Sequence, residues 1–279
     1  MRRPTFLVLA ALGWAAPAAA DPMPIAYNLH YQALSLGFVI MQMDASIRIT
    51  ERTYDVALTY HTAGFAGFLY PGRQSEQVSG VWEGDRAAPQ RYLASGEWRG
   101  RPRHADIVYR GRQPDILELF PPDSGEREPV PPALQRGTDD TLSALVQLLA
   151  HVDRTGSCNT AARVFDGRRL SEIDASTVGL QSLGRAAGSI FAGTALRCDF
   201  VGRMLAGFLL SRPHTTPGRP RHGAAWFASL QPGGPALPVR MSFQTDWFGD
   251  VTMVLTAATA QEPNLAQTAS LPRRSGLPQ

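Results

Sequence analysis

The reactive groups of this chain are few and widely spaced. Its two cysteines, Cys158 and Cys198, lack the CxxC or His/Cys spacing that marks a reactive thiol or a metal ligand. In an oxidising compartment they read as one disulfide, a staple around a loop of about 40 residues. His214 and His222, in the Pro- and Arg-rich stretch from Pro213, have no carboxylate or cysteine at ligand spacing, so no metal site is expected. HExxH and GxSxG are absent, which disfavours hydrolases of those types. A dispersed triad leaves no local signature. It would require a fold that brings His30, His61, His104 or His151 to a carboxylate and a hydroxyl.

Lysine is missing altogether. That excludes Schiff-base chemistry on a side-chain amine, a pyridoxal-phosphate lysine, a phosphate-loop lysine and a serine–lysine dyad. Asp139 and Asp140 are adjacent at a helix start, where the positive end of the macrodipole favours carboxylates, so they read as a cap rather than an acid–base pair. Arg99, Arg101 and Arg103, with His104 beside them, alternate along one strand face. They form either an anion-binding patch, for lipid phosphate or a partner, or a solvated face. Phe65, Phe68, Leu69 and Tyr70, set among glycines between Ala63 and Gly72, either line a cavity for an apolar ligand or cap the core from a turn. No catalytic residue and no cofactor is read from the sequence.

The context of these groups is export. Arg2 and Arg3, the apolar run Phe6 to Ala16 and the small residues Ala18, Ala19 and Ala20 read as a signal peptide over residues 1–20. The periplasm is the expected destination. No later segment approaches the roughly 20 apolar residues of a membrane span. The formal charge is +3 with a pI of about 9.1. Removing Arg2 and Arg3 leaves 25 basic against 24 acidic side chains, so nucleic acid is not an expected partner.

The elements that must position these residues are mainly strands. Tyr27, Leu29 and Tyr31 alternate with polar neighbours, as do Met41, Met43, Ala45, Ile47 and Ile49, and again Tyr54, Val56, Leu58 and Tyr60. Shorter runs over Val78–Trp82, Gln90–Trp98 and Ala105–Tyr109 complete a meander of about six strands. Pro121 to Pro132 is a proline-rich surface loop joining two halves. One helix follows. Asp139 or Asp140 caps it, Leu142, Leu145, Val146 and Leu149 form its apolar stripe, and Gly156 ends it. Strands resume over Ala161–Phe165 and Arg168–Asp174, with Asp166-Gly167 as a two-residue hairpin signal, then over Thr194–Phe200, Ala225–Leu230, Leu237–Thr245 and Asp250–Ala257. Residues 21–260 are thus expected to form one β-rich domain, with a disordered tail over 261–279.

Several of these segments, in their order, resemble a known family. Tyr27 to Gly37, Asp140-Thr141-Leu142-Ser143-Ala144-Leu145, Val164-Phe165-Asp166-Gly167-Arg168-Arg169, and Pro238-Val239-Arg240 followed by Gly249 and Val251 resemble the domain of unknown function 3108, found in exported proteins of Gram-negative bacteria. The likeness spans most of Tyr27 to Thr259. Family members often carry a proline where this chain has Asp140 or Thr141; the cysteine placement is consistent with the pattern. The resemblance implies a periplasmic, mostly antiparallel fold and transfers no catalytic residue. More distantly, the chain is similar to the curved open sheets of lipoprotein carriers and of spiral-sheet envelope-integrity proteins, an analogy of fold alone.

The fold class expected is therefore mainly β: a large, strongly curved antiparallel sheet, an open barrel or β-spiral, with one main helix packed on it. A single helix cannot cover both faces of such a sheet, so one apolar face closes on itself, holds a ligand or meets a partner. A non-enzymatic protein binding a lipid-like ligand or an envelope component follows. The alternatives are an envelope scaffold, and an enzyme with dispersed catalytic residues.

Overall fold

The computed structural model describes residues 24–98, 100–122, 125–211, 219–245 and 248–261. The signal peptide read over 1–20, Arg99, His214 and the tail beyond Gln261 lie outside them. Seven strands come first: β1 (Ile25–Ser35), β2 (Phe38–Ile49), β3 (Thr53–Thr62), β4 (Gly72–Glu83), β5 (Arg86–Trp98), β6 (Arg101–Arg110) and β7 (Gln113–Phe120). Helix α1 (Gly64–Leu69) interrupts them. Helices α2 (Pro132–Gln135) and α3 (Thr141–Thr155) precede β8 (Thr160–Phe165), β9 (Leu170–Leu183), β10 (Gly193–Ala206), β11 (Arg221–Ala228), β12 (Leu237–Thr245) and β13 (Gly249–Ala260).

All thirteen strands form one sheet, in the order β7-β6-β5-β4-β3-β2-β1-β13-β12-β11-β10-β9-β8, and every neighbouring pair is antiparallel. Two meanders therefore meet where the first and last strands pair. β1 lies at this seam and shows why it forms: Ile25, Tyr27, Leu29, Tyr31 and Ala33 are all buried, with more exposed residues between them. Period-two burial keeps that register, because a one-residue slip would turn every apolar side chain outward.

The sheet curls. Register breaks at His30/Tyr31, Ala33/Leu34, Ser79/Gly80 and Trp226/Phe227 add local twist. The ends approach each other without pairing: a Cβ on Gly167, in the β8–β9 turn, would stand 3.3 Å from Leu119 Cδ1 and 3.4 Å from Ile107 Cδ1 on β7 and β6. That turn holds four residues, not the two read from Asp166-Gly167. Asp166 Oδ1 accepts from the backbone N–H of Arg168 and Arg169, at 3.0 and 2.7 Å. Its carboxylate, held below the usual range by Arg169 and these N–H groups against the opposing effect of burial, makes an Asx-type turn that replaces the tighter hairpin.

Helix α3 is built as its sequence pattern prescribes. Leu142, Val146, Leu149 and Val152 are buried, matching the i, i+3/i+4 stripe. Gly156 closes it in the left-handed region at φ 64°, with its N–H on Val152 O, a conformation that favours glycine. Three contacts pin the helix to the sheet: Tyr54 Oη to Ser143 Oγ at 2.8 Å, and Gln147 accepting from Ala87 N at 2.7 Å while donating to Asp85 O at 3.0 Å. Beyond the helix, Cys158 and Cys198 stand at disulfide distance, Cα–Cα 5.9 Å, both fully buried. The sulfur link ties the exit of α3 to β10.

Asp140 is the helix cap, and it is fully buried. Its Oδ1 accepts from Leu142 N and Ser143 N, both at 2.9 Å, and its Oδ2 from Ser143 Oγ at 2.5 Å. Burial pushes its pKa up to about 6 even against these donors. The native state therefore holds a proton that the unfolded chain, with a carboxyl near pH 3.9, has already lost. The stability from that proton is complete below about pH 4 and is lost as pH rises through about 6. Asp140→Asn keeps the cap acceptor and cannot ionise. Between pH 3 and pH 7 the wild type should lose about 3 kcal/mol relative to Asp140→Asn, measured as paired urea unfolding curves. A difference that stays flat with pH would refute the raised carboxyl.

Candidate functional site

Under α3 the concave face of the sheet does not close completely. A cavity of about 760 Å³ remains, within the roughly 300–1,000 Å³ span of small-molecule sites. Strand geometry explains its walls. Met43, Ala45 and Ile47 are at i, i+2 and i+4 of β2 and so share one face, and all three line it, joined by Leu58 from β3. The other arm of the sheet supplies Ile173 and Ala175 of β9, Phe200 of β10 and Met241 of β12. The helix supplies Leu142, Leu145 and Leu148. Cavity walls thus come from residues up to about 200 positions apart.

Such a space cannot stay empty. Water or a ligand fills it. An apolar wall gives water few of the two to four polar partners it needs, whereas an apolar chain displacing that water gains about 25 cal/mol per Å² of surface removed from solvent.

Polar groups gather at one end, where the β4–β5 and β6–β7 turns and the segment before α3 come together beside Arg163 of β8. Asp85, Arg86, Arg112, Asp139 and Arg163 all line the cavity there. Arg86 Nη2 pairs with Asp139 Oδ1 at 2.6 Å. Burial still raises the Asp139 pKa, with Arg86 and Arg112 pulling it down. Arg112 Nη2 donates to Gly137 O at 2.9 Å, and Arg163 Nη2 to Leu134 O at 3.5 Å. The edge of β8 is closed at this point by the residue before the cap: Asp139 N donates to Arg163 O at 3.0 Å and Phe165 N to Asp139 O at 2.8 Å. Deeper in, Glu76 accepts from Tyr92 Oη at 3.1 Å, and burial raises its pKa.

The residues singled out from sequence lie elsewhere. Phe65, Phe68, Leu69 and Tyr70 are outside this cavity: the first three belong to α1, and Tyr70 is its C-cap. The segment is a helix of six residues rather than a turn capping the core, because Ala66 alone of its residues is buried, while Phe65 and Phe68 are 74% and 81% exposed. Tyr70 meets Phe248 edge-on at 6.1 Å. Of the arginine strand, Arg101 is exposed, whereas Arg103 donates to both oxygens of Glu126 at 2.8 and 3.0 Å. Its charge is taken up by the proline-rich segment. His30 Nδ1 meets Asp44 at 2.5 Å and His104 meets Glu118 at 3.5 Å; the threonine hydroxyl at His30, from Thr256, bonds its backbone carbonyl rather than the ring. No three His, Cys, Asp or Glu side chains converge as a metal site among the described residues. No helix there is long and apolar enough to cross a membrane.

Arg86, Arg112 and Arg163 escaped sequence reading because no local motif marks them. Met43, Ala45 and Ile47 were visible as an apolar strand face, but not as one facing open space.

Fold and cavity together define a class: a curled, open, single-sheet β protein that keeps an apolar chamber beneath one capped helix. The chain belongs to the family described as Protein of unknown function (DUF3108), whose model matches residues 26–256. It is also similar to a solved structure titled a beta-barrel-like protein of domain of unknown function DUF1849 from Brucella abortus, at 8% identity and a TM-score of 0.49, covering 86% of this chain and 99% of that one. No curated protein gives a significant match.

Proposed function

We propose that this is an exported, periplasmic, non-enzymatic protein that binds a lipid-like apolar ligand in the chamber beneath α3. One observation carries the reading: a space of about 760 Å³ walled by aliphatic and thioether side chains from both arms of the sheet and from the helix. Export is supported by the leader pattern over residues 1–20 and by the buried cysteine pair at disulfide distance, which belongs in an oxidising compartment.

Protein purified from periplasm should release lipid on extraction and show the matching mass by native mass spectrometry. Leu145 is half-buried on α3 and lines the chamber, so Leu145→Trp fills space without entering packed core. It should lower affinity for a pyrene-labelled dodecanoate at least tenfold while the melting temperature moves by only a few degrees. Unchanged affinity, together with no extractable lipid, would sink the carrier.

A second reading, an envelope scaffold, is favoured by the exposed Phe65 and Phe68 on α1 beside Phe38, which is 75% exposed at the start of β2. Backbone contact joins these elements, Ala63 N donating to Ile40 O at 2.9 Å. If a deletion strain's detergent sensitivity is rescued by Leu145→Trp as well as by wild type, scaffolding explains the phenotype and carriage does not.

A further inference from the structure

We infer that the chamber takes a single-chain amphiphile with an oxyanion head, carboxylate or phosphate, and that Arg112 and Arg163 hold that head at the cavity mouth. This rests on the chamber being a ligand site and adds the class of ligand. Three guanidinium groups line the polar end, Arg86, Arg112 and Arg163. The acidic groups there are already engaged or turned away. Asp139 is paired with Arg86, and Asp85 has its side chain 81% exposed, leaning toward Arg154 at 3.8 Å. Glu172, opposite Arg163 in the β8–β9 ladder, has Arg203 as its ion partner at 3.9 Å. Glu76 is engaged by Tyr92 Oη, at 3.1 Å.

Neither Arg112 nor Arg163 makes a direct ion pair with a carboxylate among the described residues, and Arg112 acts only at longer range on Asp139, which Arg86 already pairs. Each makes one hydrogen bond to a backbone carbonyl, and the Arg163 Nε is buried with no acceptor at all. A buried N–H left unmade is costly, so native structures rarely keep one without a reason. A guanidinium presents five donors in a planar fork shaped for carboxylate or phosphate oxygens. Thr141, in the first turn of α3, lines the cavity beside these guanidinium groups. An acyl chain running inward from this head would lie along Leu145, Met43 and Ile173.

Equilibrium fluorescence titration with three probes of equal chain length tests this: a pyrene-labelled dodecanoate, its methyl ester, and the corresponding monoalkyl phosphate. Wild-type protein should bind the carboxylate at least tenfold more tightly than the ester, and the preference should shrink as salt is raised. In Arg112→Gln/Arg163→Gln the ratio should fall close to one. Tighter binding of the phosphate than of the carboxylate assigns a phosphate head; the reverse assigns a carboxylate. Equal binding of acid and ester to wild type, or a preference that survives the double substitution, overturns the inference and leaves the chamber reading intact. The wild-type acid-to-ester ratio decides even where the variant fails to fold. If no probe binds wild type, the chamber reading itself falls.

Discussion

Gly207→Ala should destabilise the protein by about 4 kcal/mol, the sum of a left-handed backbone cost of about 1–2 kcal/mol and an overpacking cost of about 1–3 kcal/mol. Gly207 follows β10 at φ +82°, and a Cβ there would sit 2.0 Å from Arg168 O and 2.9 Å from Arg169 Cα. These are backbone atoms that cannot swing aside. The turn carrying them is held by Asp166, which accepts from both N–H groups and pairs with Arg169 at 2.6 Å. That turn also plugs the space between the two ends of the sheet, against Leu119 and Ile107, so pushing it outward disturbs the closure. Gly111 is the control: its φ is +62°, but nothing lies within 4 Å of a Cβ there. Gly111→Ala should cost only the backbone part, about 1 kcal/mol. Urea unfolding of both variants separates the two contributions, and equal losses would rule out the contact with Arg168.

Removing the sulfur link should cost about as much. Cys158 and Cys198 enclose a separation of 40 residues, and the chain-entropy relation gives about 4 kcal/mol for a loop of that length. For a domain of this size that is about 10 °C in melting temperature. The double variant Cys158→Ala/Cys198→Ala, and wild type in strong reductant, should agree. The location makes the loss more than entropic. Thr177 Oγ1 on β9 accepts from Cys158 N at 2.7 Å, so the link fixes the segment between α3 and β8 onto the arm that supplies Ile173, Ala175 and Phe200 to the chamber. Probe affinity should fall along with stability. A melting temperature within about 2 °C of wild type would show that the two thiols contribute no cross-link.

Much of the architecture was legible because strands and helices report themselves through short periods. The alternation of Met43, Ala45 and Ile47 assigned β2, and the stripe of Leu142, Leu145, Val146 and Leu149 with an aspartate before it assigned α3 and its cap. Where local signals failed, a tertiary contact had overruled them. Asp166-Gly167 promised a two-residue hairpin, yet the Asp166 carboxylate bonds two successive N–H groups and enlarges the turn to four. Phe65 and Phe68 promised core or cavity, but the short helix that carries them buries Ala66 instead. Arg103 was read as part of either an anion-binding patch or a solvated face; Glu126, from a separate loop, takes its charge instead.

From its own residues, the chain determined that it would be an antiparallel β protein with one capped helix and a cysteine staple, because side-chain period, capping and cysteine spacing are properties of neighbours. The chamber and its arginine mouth were decided only in three dimensions. Hydrophobic alternation states which face of a strand leaves water, but says nothing about what meets it there. Here the curl of thirteen strands brings Met43 and Ile173, from opposite arms, to the same chamber, and stops short of filling it.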